Sequence, residues 1–279
     1  MKGTLFLCAT PIGNLEDITL RTIRTLKEVD LIAAEDTRHS IKLLNHFEIK
    51  TPMTAYHEHN KYDKAKLLVE KLLAGMNVAL ITDAGTPAIS DPGEELVKQC
   101  YQEGIVVTSL PGPSACITAL TVSGLSTRRF CFEAFLPHEK KERAAILKEL
   151  KTETRTIILY EAPHKLLKTL KELEQTLGNR KLTICRELTK KYETNFCTTM
   201  QEAIAYYVQN EPKGEMVLSI EGVSRLVLDE ENRAQWENIS MAQHVQMYMN
   251  QGIEKKEAMK MVAKDRGVGK REVYQSLMS

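Results

Sequence analysis

The sequence predicts an α/β protein that consists of two α/β domains and a small helical tail. Short apolar strands alternate with amphipathic helices over residues 1–125, which is typical of βαβ units around a parallel sheet. A second alternating stretch, residues 126–222, predicts a smaller domain with a mixed sheet. The pattern weakens over residues 223–239, which we interpret as a linker, and residues 240–279 show helical periodicity without a strand pattern.

The composition is that of an ordinary globular chain, with 43% hydrophobic and 27% charged residues, so disorder is not indicated. No apolar run approaches the roughly 18 residues that span a bilayer, and the short apolar start is typical of a first strand rather than a signal peptide. None of the six cysteines forms a C-x-x-C pair, which favours buried, reduced thiols in a cytoplasmic protein. The net charge of +1 gives no global signature of nucleic-acid binding, so any RNA-binding charge must be local.

The first domain contains five strand candidates. They are short apolar runs, namely Thr4–Cys8, Asp30–Ala34, Met53–Tyr56, Val78–Thr82 and Val106–Leu110. Helical spacing of apolar residues separates them, first over Leu20–Val29 and later over Lys64–Leu73. In a parallel sheet of this kind, the functional groups are expected on loops at the carboxyl ends of the strands.

The second domain and the tail follow the same logic. The strand candidates are Phe130–Phe135, Thr156–Tyr160, Leu182–Arg186, Glu193–Thr198 and Glu215–Glu221. Helical patterns lie between them, near Glu139–Leu150, Lys165–Leu177 and Gln201–Val208. The tail predicts three helices, Ser240–Asn250, Glu254–Asp265 and Lys270–Leu277, and the turn Gly267–Gly269 makes the last two similar to a helix-turn-helix unit.

Three turns at strand ends contain small residues that let a ligand approach the backbone. Ala9–Asn14 follows the first strand, Asp83–Thr86 the fourth and Leu110–Ala115 the fifth. Asp83 adds a carboxylate that can accept hydrogen bonds from the amino or hydroxyl groups of a ligand. Taken alone, the first turn is better explained as an ordinary βα turn, and it lacks the G-x-G-x-x-G pattern of dinucleotide sites. The turn at Asp83–Thr86 is more informative, and the third can be explained by a helix cap alone.

Helix capping explains several polar residues beside these turns. Asp91 suits an N-cap, with Glu94 three residues later to complete a capping box. Ser114 and Thr37 suit the same role at two other helices.

Polar clusters follow the second and third strands. The first cluster contains Glu35, Asp36 and Arg38, and the second contains His57, Glu58 and His59. A metal site is disfavoured because the two histidines would diverge along a strand and no third ligand is evident. We therefore interpret the clusters as groups that handle a polar substrate, although a solvated turn explains the first cluster about as well.

Five motifs, taken in order, resemble one known family. They are Thr10–Leu15, Ala34–Arg38, Tyr56–Asn60, Asp83–Pro87 with Ser90–Gly93, and Tyr160–His164. Together they resemble the small-subunit ribosomal RNA methyltransferase I family, within the tetrapyrrole-methylase superfamily. Each turn is a weak signal, whereas five in the right order are specific. The resemblance covers roughly residues 1–222 and also the tail.

The resemblance implies a cytoplasmic homodimer that uses S-adenosylmethionine (SAM) for 2′-O-methylation of a cytidine in the decoding region of 16S rRNA. The partner is then 16S rRNA or the 30S ribosomal subunit, with no membrane involved and no metal needed, since the sulfonium is already an activated methyl donor. The cofactor is expected in the cleft between the two domains. The residues that we assign to it are Pro11, Ile12, Asp83, Gly85, Thr86, Ser114, Ala115, Tyr160, Leu188 and Met216.

Methyl transfer is an in-line displacement, and a neutral ribose hydroxyl needs a base or an orienting acceptor. The candidate catalytic residues are Glu35, Asp36, Arg38, His57 and Glu58. Arg38 can clamp a neighbouring phosphate, while any of the other four can accept a proton or a hydrogen bond, so the identity of the base stays open.

Two alternative functions remain. One is methylation of another superfamily substrate, either a tetrapyrrole precursor or a modified protein histidine. The first turn departs from the G-x-G-x-G-D pattern of porphyrin-precursor methylases, and this departure and the basic tail disfavour that alternative. The other is a non-enzymatic RNA-binding module that holds the cofactor as a sensor, which the polar clusters disfavour.

The tail is the predicted RNA-docking segment. Residues 240–279 contain five Lys and two Arg against one Asp and three Glu, a net charge of 7 − 4 = +3. The residues that we expect to contact phosphate are Lys264, Arg266, Lys270 and Arg271. The alternative is a helical cap in which Val262, Val273 and Tyr274 pack on the second domain.

Overall fold

A computed structural model describes residues 1–278, and Ser279, the last residue of the predicted tail, lies outside them. The first sheet contains β1–β5, which are Thr4–Cys8, Leu31–Ala34, Met53–Ala55, Val78–Ile81 and Val106–Leu110. The accompanying helices α1–α5 are Leu20–Glu28, Thr37–His46, Lys61–Leu73, Gly93–Gln102 and Ala115–Val122. The five predicted strands are confirmed to within one residue at each end.

All neighbouring strands of the first sheet are parallel, in the order β3-β2-β4-β1-β5. Successive residues of β2 alternate between two apolar clusters, with Leu31 and Ala33 on one face and Ile32 and Ala34 on the other. Helices therefore cover both faces, as a buried parallel sheet requires. This order brings the carboxyl ends of β4, β1 and β5 side by side.

The second sheet contains β6–β10, which are Phe130–Phe135, Thr156–Glu161, Lys181–Arg186, Thr194–Thr199 and Met216–Ile220. Helices α6–α8 are Lys140–Leu150, Pro163–Leu177 and Met200–Gln209. The order is β6-β7-β10-β8-β9, and only β6 and β7 run parallel, so the predicted mixed sheet is confirmed. One face packs on α6–α8, and the other packs on α5 of the first domain through Cys116, Ala119 and Leu120.

Four helices follow the second sheet: α9–α12, at Arg225–Ala234, Met241–Asn250, Lys255–Arg266 and Lys270–Ser276. The helix α9 occupies the segment that the sequence indicated as a linker. The three tail helices have a core of their own, formed by Val245, Ala258, Val262, Ala263 and Val273. Val262 and Val273 thus pack within the tail and Tyr274 is 52% exposed, so the predicted alternative of packing on the second domain is wrong.

The capping predictions need three corrections. The N-cap residue of α2 is Asp36 and not Thr37, since the Asp36 carboxylate accepts a hydrogen bond from the Arg38 backbone N–H at 2.8 Å. Asp91 is structural as predicted, but α4 begins only at Gly93, and within the described residues no side-chain hydrogen bond of Glu94 completes a capping box. Ser114 occupies the N-cap position of α5 without a side-chain cap bond. Within residues 1–278, no helix is both long and apolar enough to cross a membrane.

Candidate functional site

A cavity of about 500 Å³ lies where the carboxyl ends of β1, β4 and β5 face the second sheet. Its lining includes Ile12, Gly85 and Ala115 from the first domain and Leu188 and Met216 from the second. Its volume falls in the range of small-molecule sites, roughly 300–1,000 Å³. We call it the first cavity.

The turns around the first cavity are fastened to one another by backbone contacts. Thr10 and Gly85 exchange two backbone hydrogen bonds, at 2.9 and 3.0 Å. Gly85 has a φ of +85°, which favours glycine, and a Cβ there would lie 3.4 Å from Ile12 Cγ2. The Thr86 hydroxyl donates to the Pro113 carbonyl at 2.9 Å, which connects the turns after β4 and β5. The small residues therefore hold these turns together.

The loop from Ala88 to Asp91 forms a strained part of the first cavity. Ala88 and Ser90 have φ of +67° and +59°, a conformation that costs roughly 1–3 kcal/mol for a residue with a side chain. The Asp91 carboxylate holds the loop by accepting hydrogen bonds from the N–H groups of Ala88 and Gly93, at 2.8 and 2.7 Å. Burial raises the pKa of Asp91. Ile89 and Ser90 are thereby presented to the cavity.

A second cavity of about 390 Å³ adjoins the first and shares four residues with it, namely Ile12, Thr82, Ala84 and Glu215. The charges of the two linings differ. The Asp and Glu residues of the first cavity are Glu35, Asp91, Glu161 and Glu215, and none of its lining residues is Lys, Arg or His. The basic and histidine side chains that line the second cavity are His39, Lys42, His46 and Lys190. Because Asp83 and Glu215 also line the second cavity, its charge is mixed, whereas the charged side chains of the first cavity are all acidic.

Most of the residues that we predicted for the cofactor meet at this site. Eight of the ten line the first cavity: Ile12, Gly85, Thr86, Ser114, Ala115, Tyr160, Leu188 and Met216. Pro11 and Asp83 line the second. Burial raises the pKa of the Asp83 carboxyl, which also accepts a hydrogen bond from the Asp36 N–H at 3.1 Å.

Of the predicted catalytic residues, Glu35 lies at the site, whereas the others lie outside both cavities. Glu35 lines the first cavity, where its carboxylate accepts a 2.7 Å hydrogen bond from the Thr82 hydroxyl. Asp36 and Arg38 form an ion pair at 2.8 Å, and the Arg38 side chain is 90% exposed. The hydrogen bonds from Arg38 lower the pKa of Asp36 to about 2. Neither of these two residues lines either cavity.

His57 and Glu58 follow β3, the edge strand, and neither lines the two cavities. The His57 N–H donates to Asn60 Oδ1 at 2.9 Å, while His57 Nδ1 is buried without a hydrogen-bond partner in the described part of the chain. Glu58 pairs with Lys61 at 2.5 Å. The structure therefore does not bring these two residues to the cofactor turns.

The charged and histidine residues of the second cavity that were not predicted from the sequence include His39, Lys42, His46, Lys190 and Glu215. Lys190 Nζ donates to Glu215 Oε2 at 2.8 Å, and the lysine stem lies so close to Gly13 that a Cβ there would meet Lys190 Cγ at 2.4 Å. This contact joins the first turn to the second domain. Residues 1–278 contain no group of three or more His, Cys, Asp or Glu residues that could hold a metal ion.

The basic side chains predicted to bind RNA lie in the tail. Lys264, Lys270 and Arg271 are exposed. Arg266 differs from them, because its guanidinium donates to the Ile239 carbonyl and to His244 Nδ1, the latter at 3.3 Å. His244 is fully buried and stacks on Trp236 with ring centroids 3.7 Å apart. Arg266 therefore fastens the tail to the segment before it.

Comparison with known proteins gives a consistent result. The sequence profile of the tetrapyrrole (corrin/porphyrin) methylases matches residues 4–204. A protein of Halalkalibacterium halodurans named ribosomal RNA small subunit methyltransferase I is 52% identical over 98% of this chain and 94% of its own length. Its namesake from Bacillus subtilis is 47% identical over 98% of this chain and 93% of its own length.

Solved structures share the fold. Diphthine synthase superposes with a TM-score of 0.61 at 13% identity, covering 82% of this chain and 94% of its own. Uroporphyrin-III C-methyltransferase from Thermus thermophilus, in complex with S-adenosylhomocysteine, superposes with a TM-score of 0.55 at 18% identity, covering 78% of this chain and 97% of its own. At such identities the likeness shows the fold alone.

Proposed function

The chain belongs to the tetrapyrrole methylase family, and we propose that it transfers a methyl group from SAM to a cytidine 2′-hydroxyl in the decoding region of 16S rRNA. Two relatives about half identical to it over nearly their whole lengths are named for small-subunit ribosomal RNA methylation. The observation that carries the proposal is the pair of adjoining cavities, one whose charged side chains are all acidic and one that adds lysine and histidine side chains to two carboxylates. A cationic cofactor and an anionic RNA suit this arrangement.

The first cavity fits SAM. The cofactor carries a positive sulfonium and an ammonium group, and the cavity offers carboxylates without any basic side chain. Its apolar residues, Ile12, Leu188 and Met216, suit the adenine ring, and the small residues Ala84 and Gly85 let the ligand approach the backbone. The S-adenosylhomocysteine complex of a structural neighbour supports SAM as the cofactor. When bound, SAM supplies an activated methyl group.

The second cavity would hold the target nucleotide. Lys42 is exposed and forms no ion pair within residues 1–278, so it suits a phosphate, whereas Lys190 is already paired with Glu187 and Glu215. Asp83 offers a carboxylate. Burial raises the pKa of Asp83, which makes this carboxylate a stronger base than an ordinary aspartate. We assign to Asp83 the proton of the ribose hydroxyl. Glu35 lies in the adjoining cavity and is oriented by Thr82.

The other predicted catalytic residues would act farther from the reacting atoms. The exposed guanidinium of Arg38 suits a phosphate next to the target nucleotide. His57 would help to position the RNA from the edge strand β3, while Asp36 and Glu58 would orient the neighbouring cations, Arg38 and Lys61. Lys264, Lys270 and Arg271 would dock the RNA on the tail, with Arg266 as the residue that fixes the tail in place. We also propose that the enzyme works as a homodimer in the cytoplasm.

A transfer assay with labelled SAM tests the proposal against its alternatives. The substrates are 30S subunits, free 16S rRNA and uroporphyrinogen, and we expect label in RNA alone. Label in uroporphyrinogen would favour a tetrapyrrole methylase. Binding of SAM and RNA without transfer to any of the three would favour the sensor.

A further inference from the structure

A groove, which we call the arginine groove, lies at the ends of the second sheet's strands that are opposite to the first cavity. It has a volume of about 930 Å³ and lies beside the first residues of β6 and β7, the end of α7 and the start of α9. The cofactor cavity instead lies near Tyr160 and Met216, at the other ends of β7 and β10. The charged residues that line the groove are Arg128, Arg129, Arg155, Arg180 and Arg225, with Glu221 as the one acidic residue among them.

Two of these arginines have partners within the protein. Arg155 binds the Glu153 carboxylate with two hydrogen bonds, at 2.9 and 2.6 Å, so its charge is compensated. Arg180 is buried and donates to the carbonyls of Lys151 and Leu177, at 2.6 and 3.2 Å. These contacts hold the Arg180 side chain in the wall of the groove.

The other three arginines have no such partners. Arg128, Arg129 and Arg225 are exposed, and no hydrogen bond or ion pair of their side chains is found within residues 1–278. Arg225 is the first residue of α9, whose first turn contains no acidic residue. A helix start already carries partial positive charge, so an arginine there is unfavourable until an anion binds. The groove therefore concentrates positive charge that the protein itself does not neutralise.

The groove also lies next to the RNA-docking tail. The first residues of α9 line the groove, and Arg233, near its end, lies against Gly267 in the turn between α11 and α12. A ligand that contacts both must bridge the middle of α9, which carries Asp229, Glu230 and Glu231. A nucleic-acid backbone is long enough to do so and has a regular series of phosphates, and guanidinium groups bind phosphate with two parallel hydrogen bonds.

We propose that the arginine groove binds the sugar–phosphate backbone of the rRNA substrate, at a distance from the nucleotide that is methylated. The inference rests on the proposed function for the identity of the RNA. Arg128, Arg129 and Arg225 contact phosphate oxygens, and Arg180 stiffens the wall. Binding at this groove adds affinity and fixes the orientation of the RNA without contributing to the chemical step.

The test compares a triple variant, R128Q/R129Q/R225Q, with a matched control, R24Q/K27Q/K50Q. The control residues are exposed, lie in the first domain and form no ion pair within the described residues. Filter binding of in vitro transcribed 16S rRNA is measured at several salt concentrations. Loss of three phosphate contacts should reduce the slope of log affinity against log salt by about 2–3 units and weaken binding about 10- to 100-fold at moderate salt. The affinity for SAM and the melting temperature should equal those of the wild type.

Three outcomes overturn the inference. One is a slope and an affinity equal to those of the control variant. Another is a loss of SAM binding and melting temperature together, which would make the arginines structural. The third is unchanged binding of free 16S rRNA with weaker binding of 30S subunits, which would assign the groove to an acidic ribosomal protein. Methyl transfer to rRNA by the wild type is measured separately. If the wild type does not methylate rRNA but the triple variant still binds RNA more weakly than the control, the proposed function is wrong and the RNA-binding role of the groove is supported.

Discussion

The two adjoining cavities share part of their walls but differ in charge, and the difference shows how one cleft can sort a cationic cofactor from an anionic substrate. The first cavity has carboxylates and apolar side chains from both domains. The second has His39, Lys42, His46 and Lys190 beside the carboxylates of Asp83 and Glu215. Thr82 and Ala84 line both, so the reacting groups are expected to meet at the end of β4. Each prediction below changes one side of this comparison.

The largest effect is expected from the two carboxylates at the junction. Asp83→Asn and Glu35→Gln should each lower the turnover of rRNA methylation by about 10²- to 10⁴-fold, the usual contribution of a positioned base. The dissociation constant of SAM, measured by calorimetry, should stay within a few-fold of the wild-type value. Unchanged turnover in Asp83→Asn would remove Asp83 from the mechanism.

The pH dependence sharpens the same assignment. Since burial raises the pKa of Asp83, the carboxyl should protonate at a higher pH than an exposed aspartate does. Turnover by the wild type should therefore fall as the pH falls through this raised pKa and reach a plateau above it. Asp83→Asn should lose this acid limb. An acid limb that persists in the variant belongs to another group.

The next largest effect is expected from removing α9 and the helical tail, residues 225–279. A chain that ends at Ser224 keeps the 2.8 Å hydrogen bond from the Val223 N–H to the Glu153 carbonyl and loses α9 together with the separately packed tail. It should bind SAM normally yet methylate rRNA about 100-fold more slowly at physiological salt, because many phosphate contacts are lost. A joint fall in melting temperature and SAM affinity would show instead that the tail stabilises the two domains.

A smaller effect is expected from the basic wall itself. Lys42→Gln with His46→Gln should raise the KM for rRNA about tenfold through lost phosphate contacts and leave the affinity for SAM unchanged. Lys66→Gln, an exposed change on α3, is the matched control. A weaker affinity for SAM in the double variant would mean that the second cavity holds part of the cofactor.

The smallest effect is expected from two residues that line neither cavity. Arg38→Ala and His57→Ala should lower turnover on rRNA only a few-fold, with the loss mainly in KM, because their side chains lie away from the cofactor turns. Steady-state kinetics on 16S rRNA checks this. A 1,000-fold loss of kcat in either variant would place that residue at the reacting atoms, whereas unchanged kinetics in both would remove them from the site.

The sequence predicted the strands and the ligand turns because both are local features. Alternating apolar runs define β1 and β4, and the Gly and Pro residues that follow them mark the turns. Tyr160, Leu188 and Met216 belong to the other domain, and only the resemblance indicated them. Their place in the first cavity depends on how α5 packs against the second sheet.

Other features depend on the order of strands, which the sequence does not reveal. His57 and Glu58 resemble site residues because they follow a strand, but β3 is at the edge of the sheet. The sequence does not mark His39, because this residue lies within α2, after the polar cluster, and reaches the second cavity only through the fold. The helix α9 was overlooked because it has no buried residue, so an apolar stripe did not mark it.

The most direct test of the account is to map where the methyl group goes. Purified protein, SAM and 30S subunits lacking the modification are incubated, and the 16S rRNA is digested and examined by mass spectrometry. The account predicts one new methyl group on the ribose of a single cytidine in the decoding region, and none with Asp83→Asn over the same time. A methyl group on a base, or unmodified RNA beside a methylated tetrapyrrole, would contradict it.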